Sequence, residues 1–168
     1  MIWVRSHKFD PRARVIADRH YNRQKLGSPQ FCPPGKTVVL YAEKDAGRAL
    51  WVSSFQEFVM HAWPGAWNCS TFRNESCGLS SELIRDAISA TIYEWGDPPA
   101  EGMITFVNAG KVKRKRDPGR CFVKAGFTPC GRTKVNELHV LRILPEDMPE
   151  PKAPMVRQLS LFEARRPA

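Results

Sequence analysis

The sequence predicts an α/β (α+β) domain in which strands and helices alternate, followed by an extended C-terminal tail. Two strand-like runs, 37–42 and 49–55, flank residues 44–47 (Lys-Asp-Ala-Gly), a glycine-containing turn that is typical of a β-hairpin. From Ser81 to Trp95 apolar residues recur at three- and four-residue steps, which predicts an amphipathic helix. Prolines then punctuate residues 145–157, which excludes a regular helix or an interior strand there.

The other elements follow from local signals along the chain. Asp10 and Pro11 form a good N-cap and first-turn pair, so a helix is expected from there to about His20. A short helix is expected where Asp117 and Pro118 repeat that pair. The remaining segments are strand candidates at Met1–Arg5, Trp67–Arg73, Gly102–Asn108 and Glu137–Leu144, and polar, turn-rich chain at Tyr21–Pro34.

The proline spacing sets the expected division of the chain. The chain has 168 residues, so the part before Pro145 is long enough for one domain with a real core. Four prolines between 145 and 154 fix the backbone and remove hydrogen-bond donors, so an extended spacer outside the core is expected. We therefore predict a folded domain at 1–144 and a linker with a tail at 145–168.

Charge is distributed unevenly between these two parts. Lys and Arg number 26 against 17 Asp and Glu, and the tail holds four of each sign. All of the net charge of +9 therefore belongs to the folded part. Such a surplus favours a polyanionic partner, nucleic acid first, although a phosphorylated cofactor also fits.

Cysteine spacing and hydropathy indicate the cellular compartment in which the protein is expected to work. The five cysteines form no Cys-x-x-Cys pair, so neither a disulfide framework nor a metal site is expected. Reduced thiols in the cytoplasm are the expectation. The sequence contains no long apolar run and no secretory leader, so we expect no membrane association.

The tail carries the most specific motif. Residues 158–162 read Gln-Leu-Ser-Leu-Phe, and this pentapeptide resembles the peptide with which bacterial DNA-processing proteins bind the beta sliding clamp. The apolar side chains would be anchors for a pocket on that partner. The resemblance implies clamp contacts by Gln158, Leu159, Leu161 and Phe162. The alternative is a tail that folds back and packs on the core.

The body resembles the GNAT fold of N-acetyltransferases in three places. A strand, loop and helix span Asn68–Trp95, with a loop that reads Glu-Ser-Cys-Gly-Leu-Ser at 75–80; a later strand ends at Asn108 before a helix and Gly126-Phe127; and a last strand follows. This resemblance implies a mixed, mostly antiparallel sheet flanked by helices, and acetyl-CoA or another activated acyl donor as the cofactor. Backbone N–H groups at a helix N-terminus can hold its pyrophosphate. The implied donor site comprises Ser76, Cys77, Gly78, Leu79, Ser80, Ser81 and Asn108.

Three positions depart from the family pattern. The loop of the family reads (Gln or Arg)-x-x-Gly-x-(Gly or Ala), whereas this chain has Glu75 at its first position and Ser80 at its last, and a carboxylate facing a pyrophosphate is unfavourable. The third departure is Phe122. GNAT proteins commonly have a tyrosine four residues before the Gly of Gly-Phe, where it protonates the departing thiolate. Here that position is Phe122, which cannot act as an acid.

A second group of polar residues lies near the N-terminus. His20-Tyr21 before a GNAT-like core resembles the Mom-type DNA-modification proteins of phages, which modify the exocyclic amine of adenine and so protect phage DNA from restriction. The alternative is a His-Tyr pair that serves as a helix cap and core filler. The candidates for catalysis are His20, Tyr21, Ser53, Asn68 and Cys121.

The run from Lys111 to Arg116 holds five cations within six residues. These charges would repel one another unless an anion lies nearby, and a DNA backbone is the obvious candidate. A solvated basic loop is the alternative. The predicted DNA-binding residues are Arg23, Lys111, Lys113, Arg114, Lys115 and Arg116.

These features support hypotheses from different classes. The first is a clamp-tethered DNA base modifier with a GNAT fold. The second is a non-catalytic clamp- and DNA-binding phage protein with a degenerate acyltransferase body, which Phe122 and Glu75 favour. An ordinary acetyl-CoA-dependent N-acetyltransferase ranks third, because it explains neither the tail nor the basic run.

Overall fold

A computed structural model describes residues 1–55, 62–112 and 117–156. Its helices are α1 (Pro11–Asp18), α2 (Ser80–Trp95) and α3 (Arg120–Lys124). Its strands are β1 (Val4–Ser6), β2 (Lys36–Lys44), β3 (Gly47–Phe55), β4 (Trp67–Glu75), β5 (Met103–Val107), β6 (Thr128–Arg132) and β7 (His139–Ile143). The strands form one seven-stranded sheet in the order β1-β2-β3-β4-β5-β7-β6.

The predicted fold class is confirmed. The sheet is mixed and mostly antiparallel, with β4 and β5 as its parallel pair. Helices α2 and α3 pack on one face, where Trp51, Ile84 and Phe122 belong to the largest core cluster. Helix α1 packs on the other face, where Ile16 and Val52 belong to a second cluster. No helix in the described ranges has the length and apolar character needed to cross a membrane.

The start of α1 and the β2–β3 hairpin lie where the sequence predicts them, and contacts of nearby residues explain both. The carboxylate of Asp10 accepts the backbone N–H of Arg12 at 2.9 Å, and Pro11 occupies the first turn. Burial acts to raise the pKa of Asp10, but hydrogen bonds from Arg12 and Ser6 prevail and lower it to about 2. The turn between β2 and β3 ends at Gly47, where a Cβ atom would lie 1.7 Å from the carbonyl oxygen of Glu75. Glycine is therefore required there for the hairpin to pack beside the end of β4.

The geometry of β4 creates the opening for a site. Strand β4 pairs with β5 only from Trp67 to Cys69, and the strands separate beyond that point. The register between β4 and β3 changes at this point: Val52 pairs with Thr71, but Ser53 pairs with Cys69. Ser70 therefore has no paired residue on β3. Such a β-bulge bends a strand and redirects its side chains. The sheet therefore opens at Ser70.

Two elements differ from the sequence expectation. Helix α3 begins at Arg120, not at Asp117, because Gly119 before it has a left-handed backbone with φ 84°. Strand β6 was not predicted, because Pro129 and Gly131 within it are both unfavourable in strands. An edge strand accommodates them, since its outer side needs no hydrogen-bond donor.

The proline-rich segment corrects another expectation. Residues 145–147 form a single 3₁₀ turn, and the chain then runs extended but in contact with the body. The backbone N–H of Met155 donates to the carbonyl of Trp3 at 2.7 Å, and that of Lys152 donates to Ser89 at 3.2 Å. The hydroxyl of Ser89 donates to the carbonyl of Glu150. Up to Val156, therefore, this segment is docked along α2 and β1, and it is not a free spacer.

Candidate functional site

A cavity of about 750 Å³ lies where β4 and β5 separate. Its walls come from both strands, the N-terminal end of α2 and helix α3. His20 and Tyr21, in the loop after α1, complete them. Segments that are distant in the sequence therefore meet in one place. Among the predicted site residues, those that line it are His20, Tyr21, Gly78, Leu79, Ser80, Ser81, Lys111 and Cys121.

The N-terminus of α2 forms the floor of this cavity. Its N-cap residue, Leu79, provides no side-chain hydrogen bond to the first turn. The carboxamide of Asn74 instead organises the preceding loop: it donates to the carbonyl of Gly78 at 2.8 Å and to Ser80 Oγ at 2.9 Å, and accepts the N–H of Cys77 at 2.9 Å. Uncapped first-turn N–H groups and the helix dipole both favour an anion here.

Ser76 and Cys77 support this loop from outside the cavity. Ser76 has a left-handed backbone, φ 62°, and forms an isolated bridge with Arg48. Cys77 is buried in the main core, where burial raises the pKa of its thiol. Neither of these predicted donor-site residues lines the cavity, so their role in the loop is structural.

Cations predominate among the charged residues that line the cavity. Asp117 lies among the lining cations and pairs with Arg120 at 3.2 Å. The lining cations are Arg73, Lys111, Arg120 and Lys124. An excess of positive charge beside a helix N-terminus suits a ligand that carries several negative charges.

Glu75 does not reverse this charge balance. Its carboxylate accepts from Arg73 at 2.7 Å and from Arg19 at 2.8 Å. Burial acts to raise the pKa of Glu75, but the bonds and charges of these two arginines outweigh it and lower the pKa. The carboxylate that stands at the start of the loop is thus neutralised by partners and does not line the cavity.

His20 is held by a defined chain of hydrogen bonds. Asn22 Nδ2 donates to the carbonyl of Ser70 at 2.7 Å, so the Oδ1 atom of the same carboxamide faces His20. His20 Nδ1 and Asn22 Oδ1 are in hydrogen-bond contact. The backbone N–H of Asn22 also approaches Nδ1, at 3.3 Å. Because a carbonyl oxygen can only accept, the shorter contact with Oδ1 favours a proton on Nδ1. In the neutral ring, Nε2 is then the nitrogen that can accept a proton.

The surroundings of His20 favour that neutral ring. Burial is the main cause that lowers its pKa, and the charge of Arg73 adds to this effect. The hydrogen bonds that a protonated ring makes to Asn22 and to the Phe72 backbone act in the opposite direction but do not prevail. A neutral imidazole in a cationic cavity can act as a general base.

Tyr21 stacks on His20 and spans the opening in the sheet. The two ring centroids are 4.4 Å apart. The phenol oxygen of Tyr21 lies 3.4 Å from both the carbonyl of Phe106 and the backbone N–H of Asn108, donating to the first and accepting from the second. Burial raises the pKa of the Tyr21 phenol, which keeps it protonated. Together, Tyr21 and Asn22 connect the loop after α1 to β5 and β4.

Helix α3 places Cys121 at the cavity and Phe122 in the core. Cys121 lines the cavity and is partly exposed. The next residue, Phe122, is buried between Phe72 and Phe127, with ring centroids 5.8 and 5.3 Å away. Phe122 is thus a core residue that closes one side of the cavity.

Two predicted catalytic residues lie outside the cavity. Ser53 is fully buried, where it accepts from Trp51 Nε1 at 2.7 Å and bonds to the hydroxyl of Thr91 at 2.8 Å. This network joins β3 to α2. Asn68 also does not line the cavity, and its Oδ1 atom is buried with no hydrogen-bond partner in the described ranges. The bulge at Ser70 changes the side-chain alternation of β4 alone and therefore bears on Asn68, whereas Ser53 keeps the regular alternation of β3, on the same face as Trp51.

Asn108 and Arg23 also take structural positions. Asn108 Oδ1 accepts the backbone N–H of Lys111 at 3.2 Å, which closes the turn after β5. Arg23 pairs with Asp18 at 2.6 Å and donates to the carbonyls of Ser28 and Gln30, so its side chain is only 9% exposed. A guanidinium engaged in this way anchors the loop and is not presented to DNA.

The other predicted partner-binding residues fall outside the part of the chain that the structure describes. They are Lys113, Arg114, Lys115 and Arg116 in the basic run, and Gln158, Leu159, Leu161 and Phe162 in the clamp-like peptide. Among the described residues, no group of His, Cys, Asp and Glu side chains is arranged to hold a metal ion.

Two side chains that support the site were not among the predicted site residues. Asn74 organises the loop before α2, and Asn22 orients His20. Asn74 had a detectable signal, since an asparagine three residues before a turn commonly bonds to the backbone there. Asn22 had none, because its contact with Ser70 joins residues 48 positions apart.

Comparison with known proteins adds no relative: no family model, no curated protein and no solved structure matches this chain.

Proposed function

We propose that this protein is a DNA-modifying, acyl-type transferase that acts on an exocyclic base amine, as in Mom-like adenine modification, and is recruited through the sliding clamp. The observation that carries the proposal is the cavity between β4 and β5. It brings His20 and Tyr21 together with the loop at the N-terminus of α2. The sequence interpretation assigned these two segments to acceptor and donor, which must meet for transfer to occur.

The cavity residues fit acetyl-CoA or another activated acyl donor. The uncapped N-terminus of α2 offers backbone N–H groups, and Gly78 next to it has no side chain to obstruct them. Arg73 and Lys111 add positive charge for phosphate groups. When bound, such a donor supplies an electrophilic carbon, and the chain's own residues position it and manage the proton.

His20 and Tyr21 supply the acceptor chemistry. An exocyclic aromatic amine is a weak nucleophile because its lone pair is shared with the ring, so positioning and proton removal must provide most of the catalysis. Nε2 of His20 would accept the amine proton as the amine nitrogen bonds to the donor carbon and the bond from that carbon to the leaving group breaks. The protonated ring would then return this proton to the leaving group, while Asn22 contacts the Nδ1 side of the ring. Tyr21, whose phenol donates to the carbonyl of Phe106, stacks on His20 and holds the imidazole ring in place.

The delivery of the protein to DNA rests on the basic run and the tail. Lys111, the first cation of the basic run, lines the cavity, and this supports its assignment to phosphate contacts. Phosphate contacts by this run orient a duplex without reading its sequence. The Gln-Leu-Ser-Leu-Phe peptide would bind the sliding clamp and so recruit the protein to the replication machinery.

Nucleoside mass spectrometry of DNA from expressing cells tests the proposal. Wild-type protein should produce a new modified nucleoside. Gly78→Trp should abolish it, because the indole would occupy the cavity that Gly78 lines. A Cβ there meets Leu83 at 4.0 Å without a clash, but the φ of 157° strains any other residue, so circular dichroism must show that the variant folds. His20→Ala should reduce it by about 10²- to 10⁴-fold, the usual contribution of a positioned general base. His7→Ala, at an exposed position outside the cavity, is the matched control and should not change it.

One observation favours a second candidate function. Phe122 is buried in the core at the position where a tyrosine would protonate a leaving group, so the body could be a non-catalytic, clamp- and DNA-binding protein. Tight clamp binding with wholly unmodified DNA, in the same cells, would support this second function and overturn the first.

A further inference from the structure

We infer that Glu75 is a positioning residue, which holds Arg73 in the orientation in which its guanidinium binds a phosphate group of the acyl donor. The inference rests on the proposed function, because it concerns the donor of that reaction. Glu75 stands where the GNAT pattern has Gln or Arg, and a carboxylate there would be expected to oppose an anion. The contacts of this carboxylate give it the opposite role.

Two hydrogen bonds fix the guanidinium of Arg73. Its Nε donates to Glu75 Oε1 at 2.7 Å, and its Nη1 donates to the backbone carbonyl of Arg19 at 2.9 Å. Its Nη2 donates to none of the residues in the described ranges. Arg73 lines the cavity and its side chain is 35% exposed, so Nη2 is accessible to a ligand there.

The carboxylate of Glu75 is itself held from two sides. Its Oε2 accepts from Arg19 Nη1 at 2.8 Å, so one carboxylate binds both arginines. The backbone of Glu75 packs closely on the turn between β2 and β3, where a Cβ atom at Gly47 would lie 1.7 Å from the Glu75 carbonyl oxygen. Glu75 therefore connects the end of β4 to the end of α1 and fixes Arg73 between them.

Arg73 lies beside the loop that leads into α2. The next residue, Asn74, also lines the cavity, and its carboxamide bonds to Gly78 and to Ser80 of that loop. A phosphate group at the first turn of α2 would therefore be close to the part of β4 that carries Arg73. A guanidinium whose orientation is already fixed loses little conformational entropy when it binds such a group.

The other cations of the cavity do not offer this geometry. Arg120 is paired with Asp117 at 3.2 Å. Lys111 and Lys124 carry ammonium groups on flexible stems, which act on a phosphate as point charges. Among the described cations of the cavity, Arg73 is thus the one best prepared for a directional contact with a phosphate.

Inorganic pyrophosphate tests the contact without a complete donor. Added to the full-length protein, it should shift the Nε–Hε NMR signal of Arg73 and the backbone amide signals of Ser80 and Ser81 in a saturable way. Arg73→Gln should weaken this binding at least about tenfold, the usual loss for a charge-assisted hydrogen bond. Arg73→Lys keeps the charge but should also weaken binding, because an ammonium cannot reproduce the fixed fork. Circular dichroism checks that both variants fold.

The change Glu75→Gln separates positioning from simple electrostatics. It removes a negative charge near the site, so electrostatics alone predicts tighter binding of an anion. Loss of the charged support for Arg73 should instead weaken binding about threefold, since charge-assisted hydrogen bonds are roughly twice as strong as neutral ones. Glu82→Gln removes an exposed carboxylate from the first turn of α2 and is the matched control, which should not weaken binding. Unchanged or tighter binding in Glu75→Gln, or no saturable shift with the wild type, would overturn the inference.

His20 provides a readout that a merely structural role of Arg73 would not change. Burial is the main cause that lowers the pKa of His20, and the charge of Arg73 adds to it. Pyrophosphate bound to Arg73 should therefore raise the pKa of His20 in an NMR titration. In Arg73→Gln the pKa should already be higher without pyrophosphate, and its response to pyrophosphate should be smaller.

A short DNA duplex distinguishes the two possible sources of phosphate. If Arg73→Gln weakens duplex binding but leaves pyrophosphate binding unchanged, Arg73 contacts the DNA backbone and the inference is overturned. If wild-type protein modifies cellular DNA but Arg73→Gln and Glu75→Gln bind pyrophosphate like the wild type, the inference is also overturned while the proposed function stands. If pyrophosphate binding depends on both residues but cellular DNA stays unmodified, the proposed function fails while the phosphate contact held by Glu75 stands.

Discussion

Asn22 Nδ2 donates a 2.7 Å hydrogen bond to the backbone carbonyl of Ser70, the residue that the β-bulge leaves unpaired. A strand carbonyl without a ladder partner needs a donor from elsewhere, and the carboxamide provides it. The same bond fixes the orientation of the carboxamide, so that Oδ1 faces His20. An irregularity in the sheet thereby positions the carboxamide oxygen that favours a proton on Nδ1 of His20.

Asn22 is therefore expected to act as a positioning residue for His20. Asn22→Leu keeps a similar volume but removes both hydrogen bonds, so His20 should lose its preference for the Nδ1-protonated tautomer. The ring nitrogen NMR shifts of His20 report this directly, and DNA modification should fall by about tenfold or more as the base is misoriented. Asn22→Asp should raise the pKa of His20, because a carboxylate favours the charged ring.

A structural role alone would give a different pattern for these variants. It would lower thermal stability without changing the tautomer or the pH profile. Asn136→Leu serves as the control for a general loss of amide groups. An unchanged tautomer in Asn22→Leu would refute the positioning role.

Stability should depend on pH through His20. Its pKa is lowered in the folded protein, mainly by burial, whereas the unfolded chain titrates near the usual value of about 6.5. Between these two values the unfolded state binds more protons, so the free energy of unfolding rises with pH. Stability should thus be lost as the pH falls from about 6.5 towards the lower folded pKa, and the loss should end below it.

Urea denaturation at a series of pH values checks this prediction. His20→Gln should flatten the dependence in that window, and His7→Gln, at an exposed site, should leave it as in the wild type. A slope that persists unchanged in His20→Gln would show that other groups cause it.

The elements that sequence reasoning predicted well are those whose signals are local. The β2–β3 hairpin and α2 follow from alternation, turn residues and helical periodicity within a short window. Strand β6 was missed because Pro129 and Gly131 obscure its pattern, and only the pairing with β7 makes it a strand. Local signals also predicted the absence of regular structure after Pro145, but not its docking, which depends on backbone bonds to distant residues such as Trp3.

The candidate site was predicted in part for the same reason. His20, Tyr21 and the Gly78 loop carry recognisable motifs, and the structure brings them into one cavity. Ser53 was placed at the cavity because strand ends often line such clefts. The bulge at Ser70 determines which side chains of β4 face the opening, and no pattern in the sequence predicts it.

Arg23 should prove to be a stability residue. Its guanidinium is almost fully buried and binds Asp18, Ser28 and Gln30. Arg23→Ala removes these bonds and leaves a partly buried carboxylate unpaired, which should cost about 3 kcal/mol of unfolding free energy. Arg14→Ala, a helix arginine that has no ion pair with any described residue, should change it by less than about 0.5 kcal/mol.

Chemical denaturation and DNA binding measured under folding conditions distinguish the roles of Arg23. A direct phosphate contact would lower the salt dependence of DNA affinity by about one unit of slope in Arg23→Ala without loss of stability. Unchanged stability together with that change in slope would contradict the anchoring role.

Two truncations should separate the docked segment from the clamp peptide. Removal of all residues after Val156 deletes the Gln-Leu-Ser-Leu-Phe peptide but keeps the contacts of Met155 and Lys152 with the body. This variant should retain wild-type stability and lose clamp binding in a pull-down, as should Leu161→Ala combined with Phe162→Ala. Removal of all residues after Met148 also deletes the hydrogen bonds to Trp3 and Ser89. Loss of these three bonds should lower the unfolding free energy by about 3 kcal/mol.

The docked segment should also limit how the clamp peptide is presented to the clamp. Met155 pairs with Val4 beside β1, so only a few residues separate this fixed point from Gln158. A short connection restricts how the body can be oriented on the clamp, whereas a free spacer of all the residues after 144 would not. Insertion of a flexible Gly-Ser segment after Val156 should therefore leave clamp affinity unchanged but reduce DNA modification at a fixed distance from the clamp. Equal modification with and without the insertion would show that the docked segment does not set the orientation.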